Sequence, residues 1–169
     1  MKENKVVFSV LTVNHPGVLL RVTGLFSRRG FNIDSIVACK TQTPDFSRWT
    51  LVVTGDEAVF TQLNRQLLKM EDVLTVEVLE PDSCTCSELL LLKVDTAQAG
   101  RAAVLQTVQT YGGRVLDIGE NTITLEMTGQ PAQVDHFLAR MEGYGIVEMA
   151  RTGITALERG DSTIHGSDI

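Results

Sequence analysis

The five residues Asn14-His15-Pro16-Gly17-Val18 stand where a run of β-branched residues gives way to a helical repeat, and their types suit capture of a small anion. A helix start presents N–H groups without partners and a partial positive charge, which a carboxylate or phosphate satisfies. Gly17 carries no side chain to block close approach of a ligand. Further on, Gly30-Phe31-Asn32-Ile33 enters the next strand, and the Asn32 amide can both donate to and accept from a ligand. The two turns together own the groups needed to hold the carboxylate and ammonium of a free amino acid. The same residues also read as a capped helix followed by a glycine turn.

Catalytic chemistry finds less support. The sequence holds no Gly-x-x-x-x-Gly-Lys phosphate loop, no Gly-x-Ser-x-Gly elbow and no His-Glu-x-x-His. Its three histidines, His15, His136 and His165, fall at a helix start, on the outer part of a helix and in the C-terminal tail, and read as solvated side chains. Cys84-x-Cys86 lacks the second cysteine pair or nearby histidine that a tetrahedral zinc site needs, so it reads as linker, with redox sensitivity as the alternative. Arg28-Arg29 reads as a helix end. No nucleophile is paired with a base, which argues against an enzyme acting alone.

The elements that position these turns follow from hydrophobic periodicity. Lys5 to Val13 is β-branched on both faces and reads as a strand buried on both sides. Pro16 suits a first helical position, with Asn14 or His15 at the cap, and Val18, Leu19, Val22, Leu25 and Phe26 form one apolar stripe. Arg28-Arg29-Gly30 closes that helix. Strands follow over Ile33–Thr41 and Arg48–Thr54, then a helix capped by Asp56 with a stripe of Val59, Phe60, Leu63 and Leu67, then a strand at Leu74–Val78. The order is βαββαβ. It recurs as a strand at Leu89–Val94, a helix over Gln98–Tyr111, and a hairpin of Arg114–Ile118 and Thr122–Met127 about Gly119-Glu120-Asn121. A helix started by Gly129-Gln130-Pro131 and a strand at Ile146–Arg151 complete it.

The fold expected is therefore α+β, with two ferredoxin-like βαββαβ domains in tandem, each an antiparallel sheet with both helices on one face. Residues 1–80 form the first, 81–87 a polar linker around Pro81, 88–160 the second, and 161–169 a flexible tail. Apolar residues on both sides of the first domain's strands, among them Val7, Leu11, Val13, Ile36 and Val37, call for a cover on the second sheet face. Sheet extension or stacking with another subunit and mutual cover by the two domains both meet that need.

The 169 residues carry 15 basic and 21 acidic side chains, a net charge of −6, which argues against nucleic acid or an anionic membrane as partner. An RNA-recognition module shares the βαββαβ order but needs a basic face and aromatic strands, and aromatics here are 5%. No apolar run has the length of a membrane span, the N-terminal residues lead into a strand pattern, and three cysteines make no disulfide framework. The expected compartment is the cytoplasm.

The whole run from Asn14 to Ser35 (Asn14-His15-Pro16-Gly17-Val18 through Gly30-Phe31-Asn32-Ile33-Asp34-Ser35) closely resembles the signature of the acetolactate synthase (acetohydroxyacid synthase) small subunit. Ser47-Arg48-Trp49-Thr50-Leu51-Val52-Val53 resembles that family's third strand. Gly112-Gly113-Arg114-Val115-Leu116-Asp117, Glu126-Met127-Thr128-Gly129 and Gly145-Ile146-Val147-Glu148-Met149-Ala150-Arg151-Thr152-Gly153 resemble its C-terminal domain. The resemblance covers the chain from about Val6 to Gly160.

It implies a noncatalytic regulatory subunit whose N-terminal domain is an ACT domain. Such a subunit binds a catalytic (large) subunit carrying thiamine diphosphate, Mg²⁺ and FAD, raises its activity, and confers feedback inhibition by valine or a related branched-chain amino acid. The resemblance also implies a homodimer whose paired ACT domains hold the effector between them. Carried onto this sequence, Asn14, Gly17 and Asn32 supply polar and backbone contacts, Val18 and Ile33 lie beside them, and His15 and Pro16 complete the turn. The helix around Arg21, Arg28 and Arg29 is the expected grip on the catalytic subunit. His15 stands where the family often has an acidic residue. Ala38-Cys39-Lys40, Glu142-Gly143-Tyr144 and Ser83-Cys84-Thr85-Cys86-Ser87 also depart from the family pattern. The alternative is a stand-alone ACT-domain amino-acid sensor that regulates a different enzyme.

Overall fold

Alternation of apolar and polar residues builds two antiparallel sheets, each with a helix-covered face. The computed structural model describes residues 4–80, 82–97 and 100–164. The chain divides into two units: the first ends at Thr85 and resumes at Ile154, and the second is 86–153. Both are α+β.

The first unit runs β1 (Asn4–Val13), α1 (Val18–Arg29), β2 (Ser35–Lys40), β3 (Phe46–Gly55), α2 (Glu57–Leu67) and β4 (Val73–Leu79). Its sheet order is β2-β3-β1-β4 with every pairing antiparallel. Register places Phe8 opposite Leu51, Val10 opposite Trp49 and Val6 opposite Val53, so one face of the central strands is apolar. On it pack Val18, Val22, Leu25 and Phe26 of α1 with Leu63 and Leu67 of α2. As expected, the Asp56 carboxylate caps α2, accepting from the Val59 N–H at 2.9 Å. Gly30, at φ +69°, ends α1 in the left-handed conformation behind Arg28 and Arg29.

The start of α1 differs from the sequence expectation. Neither Asn14 nor His15 caps it and Pro16 does not open it: the helix begins at Val18, and Gly17, at φ +93°, is the N-cap with no side-chain cap bond. The Asn14 amide is engaged elsewhere, donating to the Pro44 carbonyl at 2.8 Å and accepting from the Ser47 hydroxyl at 3.3 Å. That leaves Asn14 tied to the β2–β3 loop and the helix start without a side-chain acceptor.

The second unit contains most of β5 (Cys84–Asp95), then α3 (Arg101–Thr110), β6 (Arg114–Ile118), β7 (Thr122–Gly129), α4 (Pro131–Met141), a 3₁₀ turn at Glu142–Tyr144 and β8 (Ile146–Arg151). Strand order is β6-β7-β5-β8, and a fifth strand described below, at 155–158, pairs with β5 off this path. Leu90, Leu92, Val94, Ile123 and Leu125 face Val104, Val108, Val134 and Phe137 in its core. Gln130 and Gln133 form a reciprocal capping box that starts α4, with Pro131 in its first turn.

Two boundaries move. Strand β5 begins at Cys84, inside the stretch expected to be linker. Residues 154–164 belong to the first unit, not the second, and include β9 (Thr155–Glu158), a strand the periodicity did not indicate. Of the expected tail, Ile164 is buried, and residues 165–169, like Pro81 and the expected helix start at Gln98, lie outside the described residues. Strand β9 lies against β1 and β4 on the face away from the helices, so the first sheet's second face receives cover from the chain's own C-terminal segment.

Candidate functional site

The turn between β1 and α1 is built by three interactions with distant parts of the first unit. The Val13 N–H donates to the Asp72 carbonyl at 2.9 Å, and the Asn14 N–H to that of Asp45 at 2.7 Å. The Asn14 side chain then holds the β2–β3 loop. With the turn fixed, the first N–H groups of α1 follow a left-handed glycine that has no side chain to offer them. A β-carbon at Gly17 would stand 3.6 Å from the Arg21 guanidinium, so this cation reaches back over the helix start. The local field is that of an anion site: backbone donors, the helix dipole and a guanidinium.

Asp72 completes the turn and was not singled out in the sequence. Its carboxylate accepts from Arg21 Nε at 2.6 Å and lies 3.0 Å from His15 Nε2. The hydrogen bond from Arg21, helped by the charges of Arg21 and His15, holds the Asp72 carboxyl below the usual carboxylate range. His15 therefore faces Asp72 and does not reach over the helix start. No periodicity marks Asp72, the second of two adjacent acids just before β4; only the fold brings it 51 residues back to Arg21.

The second turn sits at the far end of α1. Asn32 is exposed and its amide donates to Asp34 at 3.0 Å. The Asp34 carboxylate also accepts from the Thr54 hydroxyl, and its N–H pairs with the Val52 carbonyl. Ile33 packs on the core edge and Val18 is buried in the core, so of the expected residues these two are mainly structural. The structure does not bring the two turns together within one chain. Helix α1 has 12 residues, which puts its two ends about 18 Å apart at 1.5 Å per residue. One small amino acid does not bridge that span.

Elsewhere, the His136 ring meets Tyr111 edge-on at 6.0 Å. Cys39 is exposed, Cys84 buried and Cys86 half-buried. Among the described residues no group of three or more His, Cys, Asp or Glu side chains could hold a metal ion, and no helix is long and apolar enough to cross a membrane.

A family model described as "AHAS small subunit-like ACT domain" matches residues 8–75, and one described as "Small subunit of acetolactate synthase" matches residues 87–160. The chain is 39% identical over 165 residues to the probable acetolactate synthase small subunit of Methanothermobacter thermautotrophicus, covering 97% of this chain and 98% of that one. It is 38% identical over 160 residues to the acetolactate synthase isozyme 3 small subunit of Escherichia coli, covering 94% and 98%. The crystal structure of the acetolactate synthase small subunit from Thermotoga maritima superposes with a TM-score of 0.87 at 32% identity, covering 94% of this chain and 99% of that one. Two tandem βαββαβ units, an ACT domain first, and identity sustained along nearly the whole length place this chain in the acetolactate synthase small-subunit family.

Proposed function

We propose that this chain is the noncatalytic regulatory subunit of an acetolactate synthase, that it raises the activity of a catalytic subunit carrying thiamine diphosphate, Mg²⁺ and FAD, and that valine acts through it as feedback inhibitor. The observation that carries the effector site is the separation of its two halves. Gly17 offers uncapped main-chain donors at one end of α1, while Asn32 stands exposed about 18 Å away at the other. Both halves serve one ligand only if two chains supply them.

Strand β2 is an edge of the first sheet and α1 lies beside it in sequence. A two-fold axis perpendicular to α1 reverses the direction of the helix in the second copy, and so sets the Asn32 end of one copy against the Gly17 end of the other. Leu19 and Leu20, 49% and 76% exposed beside the turn, supply apolar surface for such a seam. The effector carboxylate takes the N–H groups after Gly17, Asn14 and Asn32 orient it, and its isopropyl group meets the leucines. Valine inhibits by binding more tightly to the inhibited arrangement of the two chains than to the active one.

The test is to mix this chain with an acetolactate synthase catalytic subunit and measure turnover with and without valine. Turnover rises on adding the chain, and valine lowers it only when the chain is present. Asn14→Ala and Gly17→Asp keep the activation and lose the inhibition. Aspartate at φ +93° also carries about 1–2 kcal/mol of backbone strain, so folding of the second variant is checked first. Unchanged turnover on adding the chain overturns the subunit assignment, and full valine sensitivity in both variants overturns the site alone.

A further inference from the structure

Residues 154–164 form a roof over part of the first sheet, on the face opposite its helices. Strand β9 pairs with β5. Beyond that pairing, the Arg159 N–H donates to the Ser83 carbonyl at 2.8 Å and Arg159 Nε to the Cys84 carbonyl at 2.9 Å. From the sheet side, Arg48 Nη2 donates to the Ala156 carbonyl at 3.1 Å. Beneath this fixed roof lies a cavity of about 490 Å³, bordered only by residues of the first unit. Its size is that of a preformed small-molecule site. Register builds the floor: Val37 stands opposite Thr50 and Cys39 opposite Arg48, so these four share one sheet face.

The cavity combines an apolar wall with two opposite charges. Val37, Ala156 and Ile164 supply the first, and Arg48 and Glu158, both half-buried, the second. No ion pair among the described residues joins those two side chains. The Arg48 fork is only partly used: Nη2 holds Ala156, while Nε is buried with no hydrogen-bond partner among the described residues. A buried donor in that position is costly until an acceptor meets it. Four of the five buried side-chain polar atoms that lack a partner among the described residues, on Ser9, Ser35, Arg48 and Glu77, belong to this face of the sheet, so it favours a polar guest over a purely apolar one. Glu158 lies two residues beyond Ala156 on β9. Alternation along a strand puts both on the same side, about 7 Å apart. A group bonded to Arg48 beside Ala156 is thus within one small molecule's reach of the Glu158 carboxylate.

We propose that this cavity is an amino-acid site complete within one chain, which takes a zwitterion with a large apolar side chain: its carboxylate on Arg48 Nε, its ammonium on Glu158, and its side chain against Val37, Ala156 and Ile164. A ligand with a single charge satisfies one of Arg48 and Glu158 and leaves the other facing a like charge or an apolar group. A zwitterion meets both and leaves the net charge of the cavity unchanged. The volume is well beyond what glycine or alanine fills, which selects for a large side chain. This site lies on the opposite sheet face from α1 and does not rest on the effector turn at Gly17.

The test titrates the nitrogen-15-labelled full-length chain with L-phenylalanine, follows backbone amide shifts, and repeats the titration with two probes that each lack one charge, 3-phenylpropanoate and 2-phenylethylamine. Phenylalanine shifts the amides of Val37, Cys39, Thr50, Ala156 and Ile164 in one saturable transition, and each single-charge probe binds at least about tenfold more weakly. The variants then remove these preferences one at a time. Arg48→Gln abolishes the advantage of phenylalanine over 2-phenylethylamine, and Glu158→Gln its advantage over 3-phenylpropanoate. Arg48 also holds β9, so a misfolded Arg48→Gln leaves the wild-type comparison of the three probes and the Glu158→Gln titration to decide. The proposal fails if phenylalanine gives no saturable shift at those amides or moves only amides around Gly17. It fails equally if either single-charge probe binds the wild type as well as phenylalanine does, or if Glu158→Gln leaves the preference over 3-phenylpropanoate where it was.

Discussion

Asp72 accepts from Arg21 and faces His15 at the start of α1, so one carboxylate sets the charge around the candidate effector turn. Unpaired, the Arg21 cation would be free to swing away from Gly17; paired, it stays over the helix start. Asp72 is held below the usual carboxylate range chiefly by the Arg21 hydrogen bond. A lowered pKa in the folded state means that its stabilising contribution is complete above the ordinary carboxylate value and disappears as pH falls through the folded one. Denaturant unfolding followed from neutral to acid pH should therefore show the wild type losing more stability than Asp72→Asn below about pH 4. The two curves run parallel above it. The Gly17 end of the site was legible because proline and glycine punctuate the chain wherever they stand. Asp72 was not, because nothing local distinguishes an acid that pairs 51 residues away from one that is solvated.

Elements were legible where a repeat or a cap lies inside one segment. The Gly55-Asp56 signal before a helical stripe marks the α2 cap, and Gln130-Pro131 marks α4, because helix starts demand side-chain acceptors or proline in fixed places. The α1 start misled for the same reason. Asn14 is a good capping residue, but the β2–β3 loop claims its amide. Strand β9 escaped notice because its pattern is inverted. Small Ala156 faces in while Leu157 is 56% exposed, so four residues show no apolar alternation toward a core. In the second unit Arg151 of β8 joins Glu88 of β5, only 6% exposed, and Asp135 of α4 at 2.6 Å. Burial works to lower the Arg151 pKa, but the Asp135 and Glu88 carboxylates outweigh it and raise it. Removing the cation leaves Glu88 buried and unpaired. Arg151→Met should cost about 3 kcal/mol in a urea unfolding curve, and Glu88→Gln in the same background should recover part of that loss.

At the scale of the whole molecule, tandem βαββαβ order was legible because each unit repeats the same periods, whereas the return of residues 154–164 to the first unit is a long-range event no local window contains. The decisive question at this scale is whether one chain or two complete the effector site. The α1 geometry makes opposite predictions for the two cases. If Asn14 and Asn32 of a single chain served one ligand, a chain carrying Asn14→Ala and a chain carrying Asn32→Ala would each be defective, and mixing them would restore nothing. In a two-fold dimer each seam takes Asn14 from one copy and Asn32 from the other. A mixed dimer of the two variants then has one seam with both changes and one seam with neither. The experiment unfolds and refolds the two variants together, so that subunits exchange, and measures valine binding by calorimetry. Each variant alone should bind no valine, and the mixture should recover about one quarter of the wild-type sites, since half the dimers are mixed and each offers one intact seam of two. Tagged purification of the mixed dimer should raise that to about one half. Recovery of no sites in a mixture shown by the tags to contain mixed dimers would mean that the two turns, although at opposite ends of α1, do not meet across the seam.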